Sequence, residues 1–182
     1  MHSSLQGHIL IASPLLSDGN FFRSVVFIAK HDTDGAFGLI LNRPSNLRLE
    51  DVIEQARGHR PKRSDSIYLG GPVEGPLLAL HMMSNVGEDC QGDIWLTSDD
   101  DHLMLLCDRP KVPARFFSGY SGWGAGQLEG ELAAGGWMVG PCPPEFLWGD
   151  PDDIWESAVK DQGERVVRTL VPSAGSFDPQ IN

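Results

Sequence analysis

Two apolar, β-branched runs separated by five residues constrain this chain more than any other feature in it. Ser24–Lys30 and Ala36–Leu41 flank the segment His31-Asp-Thr-Asp-Gly35. An Asp-Gly pair between two such runs predicts a β-hairpin, because glycine supplies the positive φ that tight hairpin turns need. Asn42-Arg43-Pro44 closes the second strand, since proline has no N–H to give to a ladder. Other short strands are expected at His8–Ala12, Ser66–Leu69, Leu77–His81, Asp93–Thr97, Val112–Phe117 and Trp137–Val139. Apolar residues at Leu49, Val52, Ile53 and Ala56 have helical spacing, and Gly58 ends that helix. Ser98 with Asp99, Asp100 and Asp101 reads as a capped, acidic first turn of a helix running through Leu106, not as a metal site. A helix from Gln127 to Ala134 stops at Gly135-Gly136. A last helix starts at Asp150-Pro151 and ends at Gly163.

The chain has 182 residues, enough for one domain with a full core that needs no metal or disulfide staple. Its 21 glycines and 13 prolines mark many tight turns. Hairpins interleaved with single helices, without regular strand–helix alternation, give an α+β class with a mixed sheet. Residues 1–171 form the expected domain and 172–182 a loose tail. Fourteen basic against 25 acidic residues leave a net charge of −11, which repels polyanions on average. Arg57–Arg63 is the one basic cluster; no aromatic residues interleave it, so a solvated loop is expected there and direct nucleic-acid binding is not. No run approaches the ~18–20 apolar residues that cross a bilayer, and Ile9–Leu16 lacks a basic lead. Cys90, Cys107 and Cys142 fit free thiols in a reducing cytoplasm; Cys107 is read as core, Cys90 and Cys142 as loop residues open to exposure.

Chemistry-bearing residues concentrate late in the chain. Gly119-Tyr120-Ser121-Gly122-Trp123 resembles a hydrolase nucleophile elbow, but Trp123 stands where the last glycine is required and every histidine precedes Ser121. Ser121 is therefore read as a helix cap. The glycine-rich segment lacks the Gly-Lys-Ser/Thr of a P-loop. With a helix beginning near Ser121, Trp123, Gln127 and Glu131 share one face. That stripe is either a small pocket with Glu131 as base or a structural network in which Trp123 is core and Glu131 pairs with Arg43. His31, His81 and His102 show no metal spacing, and Asp32–Gly35 fails the calcium-loop pattern.

Taken in order, Leu5-Gln-Gly-His-Ile-Leu-Ile-Ala-Ser-Pro14, Phe22-Arg-Ser-Val-Val26, His31 with Gly35-Ala36 and Gly38, Asn42-Arg-Pro44, Gly70-Gly-Pro-Val73, Leu80-His81, Gly119-Tyr-x-Gly-Trp123, Gly126-Gln-Leu-Glu-x-Glu131, Trp137 and Trp155 resemble the AlgH/YqgE family of bacterial proteins. The resemblance runs from about Leu5 to Gly163. It implies a compact α+β domain with a bifurcated, partly barrel-like sheet surrounded by helices. It carries over no catalytic residue and no cofactor, and some relatives bear the label of transcriptional regulator. Many relatives have a cysteine where this chain has Ala29, so thiol chemistry at that position does not transfer.

The resulting expectation is a cytoplasmic, non-enzymatic regulatory or binding protein. Its candidate pocket gathers Asn42, Arg43, Tyr120, Trp123, Gln127 and Glu131, and its partner is a small anion or another protein. The alternative is an enzyme or binder acting on an anionic metabolite, with Arg43 as clamp and Glu131 as base.

Overall fold

The computed structural model describes residues 4–16 and 18–170. Strands β1 (His8–Ala12), β2 (Val25–Asp32) and β3 (Gly35–Ile40) pair antiparallel in that order, and β10 (Trp137–Pro141) adds to the free edge of β1. Their consecutive apolar residues alternate between two buried faces. Ile9, Ile11, Val25, Phe27, Leu39 and Leu41 join one core, where α4 (Pro144–Trp148) and α5 (Ile154–Leu170) pack with Phe146, Leu147, Ile154 and Ala158. Leu10, Ala12, Val26, Ile28 and Ile40 join a second core with Trp123, Trp137 and Leu128, the last from α3 (Gln127–Ala133). A strand covered on both sides needs apolar residues at every position, and each full burial of a Phe, Ile or Leu is worth about 2–3 kcal/mol.

The hairpin forms, with a different use of its glycine. Asp32 pairs with Gly35, so the turn itself is Thr33-Asp34, closed by the Asp34 N–H on Asp32 Oδ1 at 2.9 Å. Gly35 opens β3 with φ +139°, and a Cβ there would sit 2.0 Å from the Trp123 carbonyl oxygen. Its missing side chain is what lets the next strand come alongside.

That strand is β9 (Ala114–Gly124), and it branches the sheet. One edge runs antiparallel along β6 (Val73–His81). On the other edge, Phe116–Ser118 pairs in parallel with β5 (Ser66–Leu69), and Ser121–Gly124 pairs antiparallel with β3. Gly119 lies between the two partners with φ +72°, where a Cβ would approach the Val73 carbonyl to 2.5 Å. β4 (Pro44–Arg48) flanks β5, β8 (Trp95–Thr97) flanks β6, and β7 (Glu88–Asp89) flanks β8. A third core under this branch collects Leu49 and Ile53 of α1 (Leu49–Arg57), Leu103 and Leu106 of α2 (Asp100–Cys107), and Ile67, Ala79 and Phe116 of the sheet. The result is an α+β fold with a mixed, bifurcated sheet curled into a half-barrel and, among the described residues, five helices.

Several sequence expectations are corrected. Ser121 caps no helix: it lies fully buried in β9 and donates to the Gly70 carbonyl at 3.0 Å. The cap of α2 is Asp99 rather than Ser98, its carboxylate accepting from the N–H groups of Asp101 and His102. Gly163 does not end α5, which continues to Leu170 with Asp161–Arg165 and Glu164–Arg168 pairs at i,i+4. Cys90 is buried rather than exposed, and Cys142 is half-buried. The expected tail at 172–182 lies outside the described residues. Among the described residues, no helix is long and apolar enough to cross a membrane.

Candidate functional site

The turn from β9 into α3 places a strand residue over a helix. Trp123 belongs to β9, and Gly124–Gly126 swing the chain so that α3 starts at Gln127. The Gln127 amide oxygen accepts the Gly124 N–H at 3.1 Å, which fixes the turn. One helical turn later, Glu131 receives three donors. The indoles of Trp123 and Trp137 both donate to its Oε2, at 2.9 and 2.8 Å, and the Gln127 amide donates to its Oε1 at 2.9 Å. Both indoles are buried in the second core. Such charge-assisted bonds are each worth about 1.5–3 kcal/mol, so this carboxylate ties α3 to β9 and β10 through neutral donors.

Beside it opens a pocket of about 560 Å³ lined by Phe21, Gln127, Glu131, Trp137, by Ser13, Leu15, Leu16 and Asp18, and by the Ala134–Gly136 segment. Phe21 stacks on Trp123 at 6.0 Å between centroids and meets Trp137 edge-on at 5.2 Å. The indole edges of Trp123 and Trp137 thus meet the carboxylate, Phe21 lies beside them, Asp18 adds a second acid, and no Lys, Arg or His appears among the described lining residues.

The six residues expected in one pocket fall into three sets. Trp123, Gln127 and Glu131 form the network just described. Asn42 and Arg43 brace the segment that delivers Phe21. The Asn42 amide donates to the Arg23 carbonyl and accepts the Val25 N–H, both at 2.9 Å, and the Arg43 guanidinium donates to the Phe22 carbonyl. Arg23 holds a left-handed backbone at φ 51°, which costs a non-glycine residue about 1 kcal/mol and needs such bracing. Tyr120 points to the first core and stacks on Phe37 at 4.8 Å, because successive residues of β9 face opposite sides. The expected pairing of Arg43 with Glu131 is replaced by these contacts.

Glu129, two residues before Glu131, serves another partner. Its Oε1 lies 2.9 Å from His31 Nε2, while His31 Nδ1 accepts the Leu5 N–H at 2.9 Å. An acceptor at Nδ1 places the proton on Nε2, so the nearly buried imidazole donates to Glu129. The sequence signal was present in the Gln-Leu-Glu-x-Glu motif, but two acids two residues apart point to different neighbours of a helix. Elsewhere, burial pushes the Cys90 and Cys142 thiols up to about 12 and the Cys107 thiol up to about 11, so none is a thiolate at neutral pH. The basic cluster is answered residue by residue. Arg57 meets Asp100, Arg60 meets Glu54 and Asp51, Lys62 meets Asp108, and Arg63 meets Asp65. Among the described residues, no three His, Cys, Asp or Glu side chains group as metal ligands.

A branched half-barrel sheet with a carboxylate held by two indoles defines an α+β domain that the motif order had pointed to. The AlgH-like family model matches residues 9–167, and the chain belongs to that family. It is 34% identical over 171 residues to a UPF0301 protein of Idiomarina loihiensis, covering 88% of this chain and 92% of the relative. It is 37% identical over 159 residues to one of Stutzerimonas stutzeri, covering 83% and 84%. The solution structure of the AlgH protein from Pseudomonas aeruginosa superimposes with a TM-score of 0.73 at 32% identity, over 96% of this chain and 97% of that one. A protein of Corynebacterium diphtheriae shares the fold at 22% identity, with a TM-score of 0.71 over 89% and 88%.

Proposed function

We propose that this chain is a non-enzymatic, cytoplasmic binding protein of regulatory type, and that the pocket beside Glu131 takes a small ligand bearing a cationic nitrogen group. The observation that carries this is the Glu131 carboxylate at the wall of an aromatic pocket, its charge met by N–H donors and, among the described residues, by no cation. An ammonium or guanidinium group gains there from the carboxylate and from the ring faces of Phe21 and Trp137. Arg43, engaged by the Phe22 carbonyl, is not in the pocket wall, so the geometry favours a cation over the anionic metabolite first considered.

Binding rather than catalysis is supported by the state of the reactive groups. Ser121 is buried and donates to a carbonyl, the three thiols are held protonated, and Glu131 is occupied on both oxygens. Any role in transcription, the label some relatives bear, then runs through a bound ligand or a protein partner, because the Arg57–Arg63 cations already face carboxylates. The test is a titration of the labelled protein with methylguanidinium and tetramethylammonium chlorides, read at the indole N–H signals of Trp123 and Trp137. Saturable shifts of these two, absent with sodium chloride, support the reading. Unmoved indoles at roughly 10 mM, a range that covers weak millimolar binding, overturn it.

A further inference from the structure

Arg115 is a cation in the wrong place for a protein of this charge. It lies in β9 with only 6% of its surface exposed, yet no carboxylate among the described residues pairs with it. Its guanidinium donates instead to two carbonyls, Leu41 O and Gly149 O, each at 2.7 Å, and sits 4.4 Å over the ring of Tyr68. Carbonyls and a ring face orient the guanidinium without forming an ion pair, and the Asp150 carboxylate acts on its charge only from beyond ion-pair distance.

Three further cations converge on the same place. Arg115 lines a cleft of about 470 Å³ together with Arg48, Arg63 and Lys111. Arg63 is also buried, lies over Phe116 and pairs with Asp65 at 2.6 Å. Arg48 donates to the Ser64 and Ser66 hydroxyls at 2.7 and 3.1 Å and reaches Glu50 at 3.4 Å. Lys111 is exposed and has no ion-pair partner among the described residues. Among the described residues Asp65 is the one acid in the cleft wall, with Glu50 behind Arg48 and Asp150 acting on Arg115 from beyond the wall, so four of the chain's 14 basic residues face one opening in a protein of net charge −11. At the same wall, the Trp148 indole N–H is buried without an acceptor. A buried donor left unmade is unfavourable, and an acceptor brought by a ligand would relieve it.

We infer that this cleft, bounded by β5, the start of β9, the 110–113 segment and the end of α4, is a binding site for the phosphate group of a small phosphorylated molecule. The Lys111 ammonium, the Ser66 hydroxyl and the unsatisfied indole N–H are the donors left to a ligand, and three guanidinium groups already engaged within the fold add positive field around them, which suits a multi-oxygen dianion better than a single carboxylate. The volume suits a small metabolite. This site shares no lining residue with the pocket beside Glu131, so the two readings stand or fall separately.

The experiment is calorimetric titration of the full chain with pyrophosphate, inorganic phosphate and succinate, with the Trp148 indole signal followed in parallel. Lys111→Glu and Lys111→Gln are the variants, since this side chain is exposed and supports no fold contact. Pyrophosphate is expected to bind saturably and shift the Trp148 signal. Its affinity should fall roughly 10-fold in Lys111→Glu, less in Lys111→Gln, and further as salt rises. Succinate binding as tightly as pyrophosphate overturns the phosphate assignment. Absence of saturable pyrophosphate binding, or an affinity that Lys111→Glu leaves unchanged, overturns the site.

Discussion

Glu131 and Arg115 are opposite solutions to one problem. Each is a charge on the structural frame, and in each case neutral groups rather than a counter-ion hold it. Three N–H donors surround the carboxylate. Two carbonyls and a tyrosine face hold the guanidinium. The surface cations Arg57, Arg60 and Lys62 do the reverse, each paired with a nearby acid. Neutral partners fix the position of a charge without neutralising it, so the field it casts into the adjoining opening survives. Paired surface charges are screened and contribute about 0–1 kcal/mol each. The comparison therefore separates two charges held by neutral groups from a set of surface cations that are paired and solvated.

Substitutions can break or sharpen that contrast. The largest effect is expected from Glu131→Ala, which strands two buried indole N–H groups and one amide; chemical denaturation should show a loss of roughly 3–5 kcal/mol. A third buried group, which lines neither opening, sets the acid limit. His81 accepts the Met83 N–H at Nδ1, and its Nε2 is buried without a partner. Burial and the nearby His102 hold its imidazole down to about 4. The fold thus keeps His81 neutral, and its folded value lies below the unfolded one. Above pH 6.5 this residue adds no pH dependence. Stability should fall by about 3 kcal/mol as pH drops from 6.5 to 4, and His81→Leu should flatten that limb of the stability–pH curve.

Arg115→Met follows in size. The stem keeps its packing while Leu41 O and Gly149 O lose a donor, and an under-satisfied carbonyl costs less than an orphaned N–H. A loss of about 2 kcal/mol is expected. Glu131→Gln is gentler still. The new amide oxygen can accept from both indoles, leaving only a donor–donor conflict with Gln127, so the denaturation midpoint should report about 1 kcal/mol. Lys62→Ala, at an exposed pair, should change stability by less than about 0.5 kcal/mol. If Lys62→Ala proved as costly as Arg115→Met, the distinction between the solvated cluster and the cleft would be lost.

The hairpin, β1 and α1 with its left-handed Gly58 cap were legible from local pattern, because their signals lie within a few residues. β4 was not: Pro44–Arg48 is largely exposed and pairs with β5 only at Pro44–Tyr68 and Arg48–Ser66, so it carries no apolar alternation. The stripe Trp123–Gln127–Glu131 pointed to the right neighbours for a partly wrong reason. Gln127 and Glu131 do share a helix face, while Trp123 reaches them from a strand across a glycine turn. Trp137, the fourth member, lies on another strand, and nothing local marks it as a donor to Glu131. Arg115 was invisible for a similar cause. A lone arginine in a predicted strand reads as solvent-facing until α4 arrives from thirty-odd residues away to cover it.

The five tryptophans make the central claim directly measurable, since Trp123 and Trp137 report on one site and Trp148 on the other. In one labelled sample, methylguanidinium and pyrophosphate would be titrated in turn while the indole N–H signals are followed. Methylguanidinium should move Trp123 and Trp137 and leave Trp148 in place, and pyrophosphate should do the opposite. Both ions moving the same signals, or neither moving any, would contradict the view that each neutral-held charge stays open to an ion of the opposite sign.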